Sequence, residues 1–187
     1  MKSEVEQILL SVAVLAVAIS GIGYRPLTDV AERLAVVVFP LTVGFLAHEF
    51  AHKSVAGRFG YFSIYRAWNL GLLLALFAGL ASGGRFIFAA PGAVVILAPF
   101  LTLEQNGLIS LAGPLTNILI ACAFFPLSFL GGLVGLMGTL GSYINLWLAF
   151  FNLLPLPPLD GNKIIAWNPR LWILVEIPLL VLIGFLY

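Results

Sequence analysis

From Leu34 to Ala51 the chain carries no ionisable side chain except His48 and Glu49. That restricts its folding more than any other feature. A run this long and this apolar reads as a membrane span. In lipid, where no water reaches the backbone, it must close its own hydrogen bonds as a helix. The rest of the sequence agrees: 61% of residues are hydrophobic and 9% charged, against roughly 45–50% and about 25% in soluble domains. Apolar stretches recur at about Ile8 to Ile22, Leu34 to Val55, Trp68 to Ala81, Gly107 to Phe125, Gly132 to Leu153 and Leu171 to Tyr187. The expected fold class is therefore an all-α polytopic membrane protein of about five or six transmembrane helices, in one integral membrane domain over residues 1–187. Between the second and fourth apolar segments, Arg85 to Ala90 and Ala93 to Ala98 have strand character and are broken by Pro91-Gly92. A small membrane-associated β element is expected there.

Several function classes drop out. A net charge of +1 without a basic cluster gives no sign of a nucleic-acid partner. Cys122 stands alone, so there is no disulfide framework and no thiolate metal cluster, and it reads as a packing residue. Glu4 and Glu6 spoil the basic start of a signal peptide, so the first apolar stretch reads as a retained span. The glycines from Gly131 to Gly141 lack the strand and lysine of a phosphate loop and read as close helix packing. The expected surroundings are a lipid bilayer. Oligomeric state leaves no mark in the sequence.

Both histidines of the chain lie in His48-Glu49-Phe50-Ala51-His52. Residues four apart share a helix face, so two imidazoles can hold one zinc while the carboxylate of Glu49 reaches a water beside it. A charge at mid-bilayer costs roughly 2.5 to 3.5 kcal/mol or more, so such residues are rare without a role. The motif points to hydrolysis within a membrane or at its edge, with one Zn2+ per chain. Catalytic zinc usually takes three protein ligands and a water. Of the two aspartates, Asp29 lies in the connection before the motif helix. Asp160 follows a stretch from Asn152 in which three prolines forbid a regular helix and Gly161 permits a sharp turn. Asp160 is the stronger candidate for third ligand, with Glu104 as its rival. Lys53, Arg58 and Arg66 follow the motif, and by the positive-inside rule they place this end, and the zinc site, on the cytoplasmic side of the cell membrane.

About 100 residues beyond the pentapeptide comes Asn152-x-x-Pro155-x-Pro157-x-x-Asp160-Gly161, and between them lies Gly113-Pro114-Leu115-Thr116-Asn117. The ordered set resembles the signature of the site-2 protease family of intramembrane zinc metalloproteases. The likeness covers roughly Leu34 to Asn162, the expected catalytic core. It implies that His48, His52 and Asp160 are zinc ligands, that Glu49 is the general base, and that Asn117 and Asn152 line the site and bind substrate. The implied substrate is a transmembrane protein, cut within or near its membrane segment in regulated intramembrane proteolysis. This sequence has no insertion the size of a PDZ domain and no CBS tail, and Trp68 to Gly84 is not part of the family pattern.

Topology constrains the pairing independently. If His52 and Asp160 meet at one metal, the chain crosses the membrane an even number of times between them. Three apolar stretches lie between, so one must fail to span. Trp68 to Ala81 is short and flanked by glycines, and is expected to be re-entrant or interfacial. That leaves Gly107 to Phe125 and Gly132 to Leu153 as a helical hairpin. A substrate helix must unwind to be cut, exposing backbone groups that cost several kcal/mol each in lipid. The strand-like Phe86 to Ala98 region offers an edge for it to join, and the Asn117 and Asn152 amides offer donors for the oxyanion. Glu176 is expected near the interface or paired with Lys163 or Arg170, without a catalytic part. Two other functions would use the same residues. One is a metal or proton transporter, which the small size, lack of repeats and single polar cluster disfavour. The other is an inactive relative that binds a membrane partner, which the intact His48, Glu49 and His52 disfavour.

Overall fold

In the computed structural model, which describes residues 3–86, 88 and 90–186, helices start and stop where the sequence supplies caps. Helix α1 (Glu4–Ser20) opens on a reciprocal capping box. Glu6 N–H donates to Ser3 Oγ (3.2 Å) and Ser3 N–H to Glu6 Oε2 (2.7 Å). It ends on Gly21 at φ 73°, a left-handed turn that glycine adopts without strain. Next come α2 (Leu27–Arg58), β1 (Phe62–Ala67), α3 (Asn69–Ser82) and β2 (Gly92–Leu97). Helix α4 (Leu103–Phe124) starts on a second capping box, between Thr102 and Gln105. A 3-10 segment (Phe125–Phe129), α5 (Gly132–Leu153), α6 (Asp160–Trp167) and α7 (Pro169–Leu186) follow.

The protein is a mostly helical membrane protein with a small two-stranded sheet. Among the described residues four helical stretches are long and apolar enough to cross a bilayer: Leu27–Arg58, Leu103–Phe129, Gly132–Leu153 and Pro169–Leu186. Helix α2, with 32 residues, is about 48 Å long against a hydrocarbon layer of about 30 Å. Helices α1 and α3, with 17 and 14 residues, are shorter than that layer. One core cluster forms where α1, α2 and α5 meet the sheet, around Leu15, Val37, Leu41, Tyr65 and Leu148. A second joins α4, α5, α6 and α7 around Ala121, Leu153, Ile164 and Leu179. Large apolar residues such as Phe39, Phe77, Leu119 and Phe185 face outward, as helix faces in contact with lipid tails do. Cys122 is also exposed, on the surface of α4, which corrects its reading as a packing residue.

The strands pair antiparallel, from Phe62 opposite Leu97 to Ala67 opposite Gly92. Of the two segments expected to be strands, the second is β2, beginning one residue early at Gly92. The first does not pair with it: Phe86, Phe88 and Ala90 lie outside any strand, and Ile87 and Ala89 fall outside the described residues. The true partner is Phe62–Ala67, whose short alternation around Ser63 and Arg66 gives little apolar signal. Two of its outward N–H groups are taken by α1, Tyr65 N–H donating to Glu4 Oε1 (2.7 Å) and Ala67 N–H to Gln7 Oε1 (3.0 Å). Antiparallel alternation then turns the backbone groups of Gly92, Val94 and Ile96 away from β1, because they stand opposite Ala67, Tyr65 and Ser63. One edge of the sheet is thus covered by α1, and the other belongs to β2.

Between the strands the chain makes a closed excursion. Trp68 N–H donates to the Pro91 carbonyl (2.9 Å), so the segment enters and leaves at one level. Its far end reaches the opposite end of α1. Arg33 Nε donates to Ile19 O (2.8 Å) and Arg33 Nη2 to Gly84 O (3.4 Å), while Tyr24 Oη donates to Ala81 O (3.1 Å). The return path climbs α5, with Phe86 edge-on to Trp147 and Phe88 edge-on to Phe151. Helix α3 therefore lies on an out-and-back path rather than on a one-way passage between the strands. Consequently α2 and α6 deliver their residues from the same side.

The Lys53 ammonium pairs with Glu4 Oε1, so Glu4 ties α1 to both α2 and β1. Burial raises the Glu4 carboxyl, but Lys53 and the Tyr65 N–H outweigh it and hold the group below the ordinary carboxylate value. A depressed carboxyl stabilises the fold fully above its unfolded pKa, about 4.3, and that contribution is lost as pH falls through the folded value. Thermal unfolding in detergent should therefore show Glu4→Gln melting below the native protein at pH 7. The gap should be no more than about 4 °C, since the pair is partly exposed. At pH 3 the gap should narrow.

Candidate metal centre

Helix α2 places His48 and His52 one turn apart with Glu49 next to His48, and all three are buried. Asp160 is the first residue of α6, brought to the same level by the Pro155 to Pro158 turn that follows α5. The three potential ligand atoms lie within 4.8 Å of one another. His52 Nε2 stands 2.9 Å from His48 Nε2, and Asp160 Oδ2 stands 3.4 Å from His48 Nε2 and 3.1 Å from His52 Nε2. Ligands held about 2.0–2.1 Å from a tetrahedral zinc are about 3.3 Å apart, so this triangle is the right size.

The tautomers also fit a cation. His52 Nδ1 lies 2.7 Å from the Ile109 carbonyl, which can only accept, so its proton is on Nδ1. His48 Nδ1 lies 2.6 Å from Asn117 Oδ1. The amide orientation is fixed because Asn117 Nδ2 donates to the Gly44 carbonyl (3.1 Å) and to Asn145 Oδ1 (3.0 Å). Both histidines therefore donate from Nδ1 and turn bare Nε2 lone pairs toward each other. Such lone pairs repel unless a cation lies between them. Asp160 divides its oxygens, Oδ2 toward the imidazoles and Oδ1 accepting from Lys163 Nζ (3.2 Å). Glu49 lines the same pocket, and its Oε2 is buried without a hydrogen-bond partner among the described residues. Gly113 completes the wall. A Cβ there would run into the imidazole rings of His48 and His52, so α4 can close on the site only with glycine at that position.

Two curated proteins match the chain, both named "Putative zinc metalloprotease": MJ0611 of Methanocaldococcus jannaschii and YwhC of Bacillus subtilis. The first is 43% identical over 183 residues, covering 95% of this chain and 92% of its own length. The chain belongs to a short, site-2-protease-like family of zinc metalloproteases. The second is 31% identical over 157 residues, covering 69% of this chain and 67% of its own. No family model and no solved structure matches. Zinc is the metal of this family, and the His48, His52 and Asp160 group is positioned to hold it.

The remaining residues of this metalloprotease fall out as follows. Asn152 lines the pocket and donates from Nδ2 to Leu148 O (2.9 Å) in its own helix. Asn117 lines the same pocket. Both its N–H groups are committed, to Gly44 O and Asn145 Oδ1, and its oxygen is committed to His48, so no donor remains for an oxyanion. Glu104, the rival ligand, is exposed in the first turn of α4, and Asp29 is exposed at the start of α2. Glu176 is buried in α7 with Oε2 unpartnered among the described residues, and Lys163 pairs with Asp160 instead. Asn145, fully buried on α5, was not singled out from the sequence. Its signal is its place seven residues before Asn152, two helical turns away on the same face.

Proposed function

We propose that the protein is an intramembrane zinc metalloprotease that hydrolyses peptide bonds within or near the transmembrane segments of membrane-protein substrates. The observation that carries this reading is one buried pocket lined by His48, Glu49, His52 and Asp160 together with the Gly92 to Ile96 stretch of β2. His48, His52 and Asp160 hold the metal. Bound zinc supplies a Lewis acid for the scissile carbonyl and a water nucleophile at neutral pH. Glu49 takes a proton at its unpartnered Oε2 and returns it to the leaving amine. Asn152 keeps one N–H free of its helix and offers it to a substrate carbonyl. The substrate, unwound around the scissile bond, exposes backbone groups that lipid cannot satisfy. The outward N–H and C=O groups of Gly92, Val94 and Ile96 receive them as an added strand. The site end carries Lys53, Arg58, Arg66, Lys163 and Arg170, against Arg25, Arg33 and Arg85 at the other end, and this excess orients the site toward the cytoplasm.

The test uses the full chain in liposomes with a single-span substrate whose buried segment contains helix-breaking residues. Native protein should cut within that segment and stop when zinc is chelated. Val94→Pro removes one outward N–H and leaves the ladder to β1 intact. It should slow cleavage about tenfold, the worth of one backbone hydrogen bond, without changing zinc content. Cleavage confined to water-exposed loops, or an unaffected Val94→Pro protein, would contradict the proposal.

A further inference from the structure

The histidine that faces Asn117 is oriented by a second amide. We infer that Asn145 is a positioning residue for the metal centre, setting which nitrogen of His48 is bare; this rests on the function proposed above. Asn145 Nδ2 donates to the Gly141 carbonyl (2.9 Å) and the Pro40 carbonyl (3.3 Å). Carbonyls can only accept, so the Asn145 amide has one possible orientation, with Oδ1 toward Asn117. That oxygen accepts from Asn117 Nδ2, which turns Asn117 Oδ1 toward His48. The result is a one-way chain of dipoles. It runs from two backbone carbonyls through Asn145 and Asn117 to the Nδ1–H of His48, and leaves Nε2 free for the metal.

Helix α2 is cut to receive this chain. At Gly44, one turn before His48, a Cβ would occupy the place of Asn145 Oδ1. Asn117 and Asn145 are both completely buried, in a layer where water cannot substitute for a missing partner. An ordinary helix-packing asparagine needs some partner on a neighbouring helix. This one has partners on its own helix, on α2 and on α4, arranged so that reversing any amide sets a donor against a donor.

Nitrogen-15 spectra of the metal-free full chain in detergent, labelled on histidine, read the tautomer directly. Native protein should show His48 protonated on Nδ1 and bare at Nε2. Asn145→Ala should populate the other tautomer, and zinc affinity by chelator competition should fall about 10–100-fold, the usual range for a partner of a ligand. Asn145→Asp, keeping an acceptor toward Asn117, should recover part of that loss. A native His48 protonated on Nε2 would overturn the inference even if no variant folds. So would Asn145→Ala with unchanged tautomer and unchanged zinc affinity. Absence of zinc binding by native protein, with the Nδ1 tautomer intact, would instead sink the proposed function and leave the dipole chain standing.

Discussion

Glu49→Gln should abolish peptide-bond cleavage, by about 10²- to 10⁴-fold, while the purified protein keeps its full zinc content. The amide has the shape of the carboxylate and fits the same buried position, but it cannot accept a proton, and general acid–base contributions of that size disappear with the base. The metal ligands are untouched by the change, since His48, His52 and Asp160 make no hydrogen bond to Glu49. A binding protein or a transporter built on the same three ligands would lose little. The check is a side-by-side assay of cleavage and metal content on the same preparation. Persistent cleavage by Glu49→Gln would remove Glu49 from the chemistry.

The second large effect is expected at a residue that touches no substrate. Asn117→Ala leaves His48 Nδ1–H, the Gly44 carbonyl and Asn145 Oδ1 each short of a partner. An unsatisfied buried group costs about 1–3 kcal/mol in a protein interior, and less where a membrane chain finds other partners. Zinc affinity should fall about 10–100-fold, because a ligand whose second nitrogen is unsupported loses both orientation and basicity. Substrate affinity in the zinc-saturated variant should change less than the turnover rate. Were Asn117 a substrate donor, the Michaelis constant would rise and zinc binding would stay as it was.

These expectations show which parts of the molecule the sequence makes legible. His48 and His52 are readable because a helix repeats every 3.6 residues, which forces positions four apart onto one face. Asp160 is readable through the proline-rich stretch before it and its motif, and if it meets His52, parity singles out Trp68–Ala81 as the weakest apolar stretch between them. What stays hidden depends on long-range register. Nothing in Phe62–Ala67 announces that it pairs with Gly92–Leu97, since the pairing is fixed by contacts about 30 residues apart in sequence. Asn145 hides for a related reason. An isolated asparagine in an apolar helix has the same appearance whether it glues two helices or orients a ligand, and only its hydrogen-bond directions separate the two. Asn117 is legible as a site residue through its motif, whereas its hydrogen bonds to His48, Gly44 and Asn145 are visible only in the fold.

The central claim is that two motifs more than 100 residues apart meet at one zinc. Metal content of the purified chain in detergent tests it without any knowledge of the substrate, comparing native protein with His48→Ala and Asp160→Asn. The expected result is about one zinc per native chain, with binding lost or sharply weakened in both variants. A native chain that takes up no zinc when metal is supplied, or an Asp160→Asn protein that binds it as tightly as native, would contradict the claim.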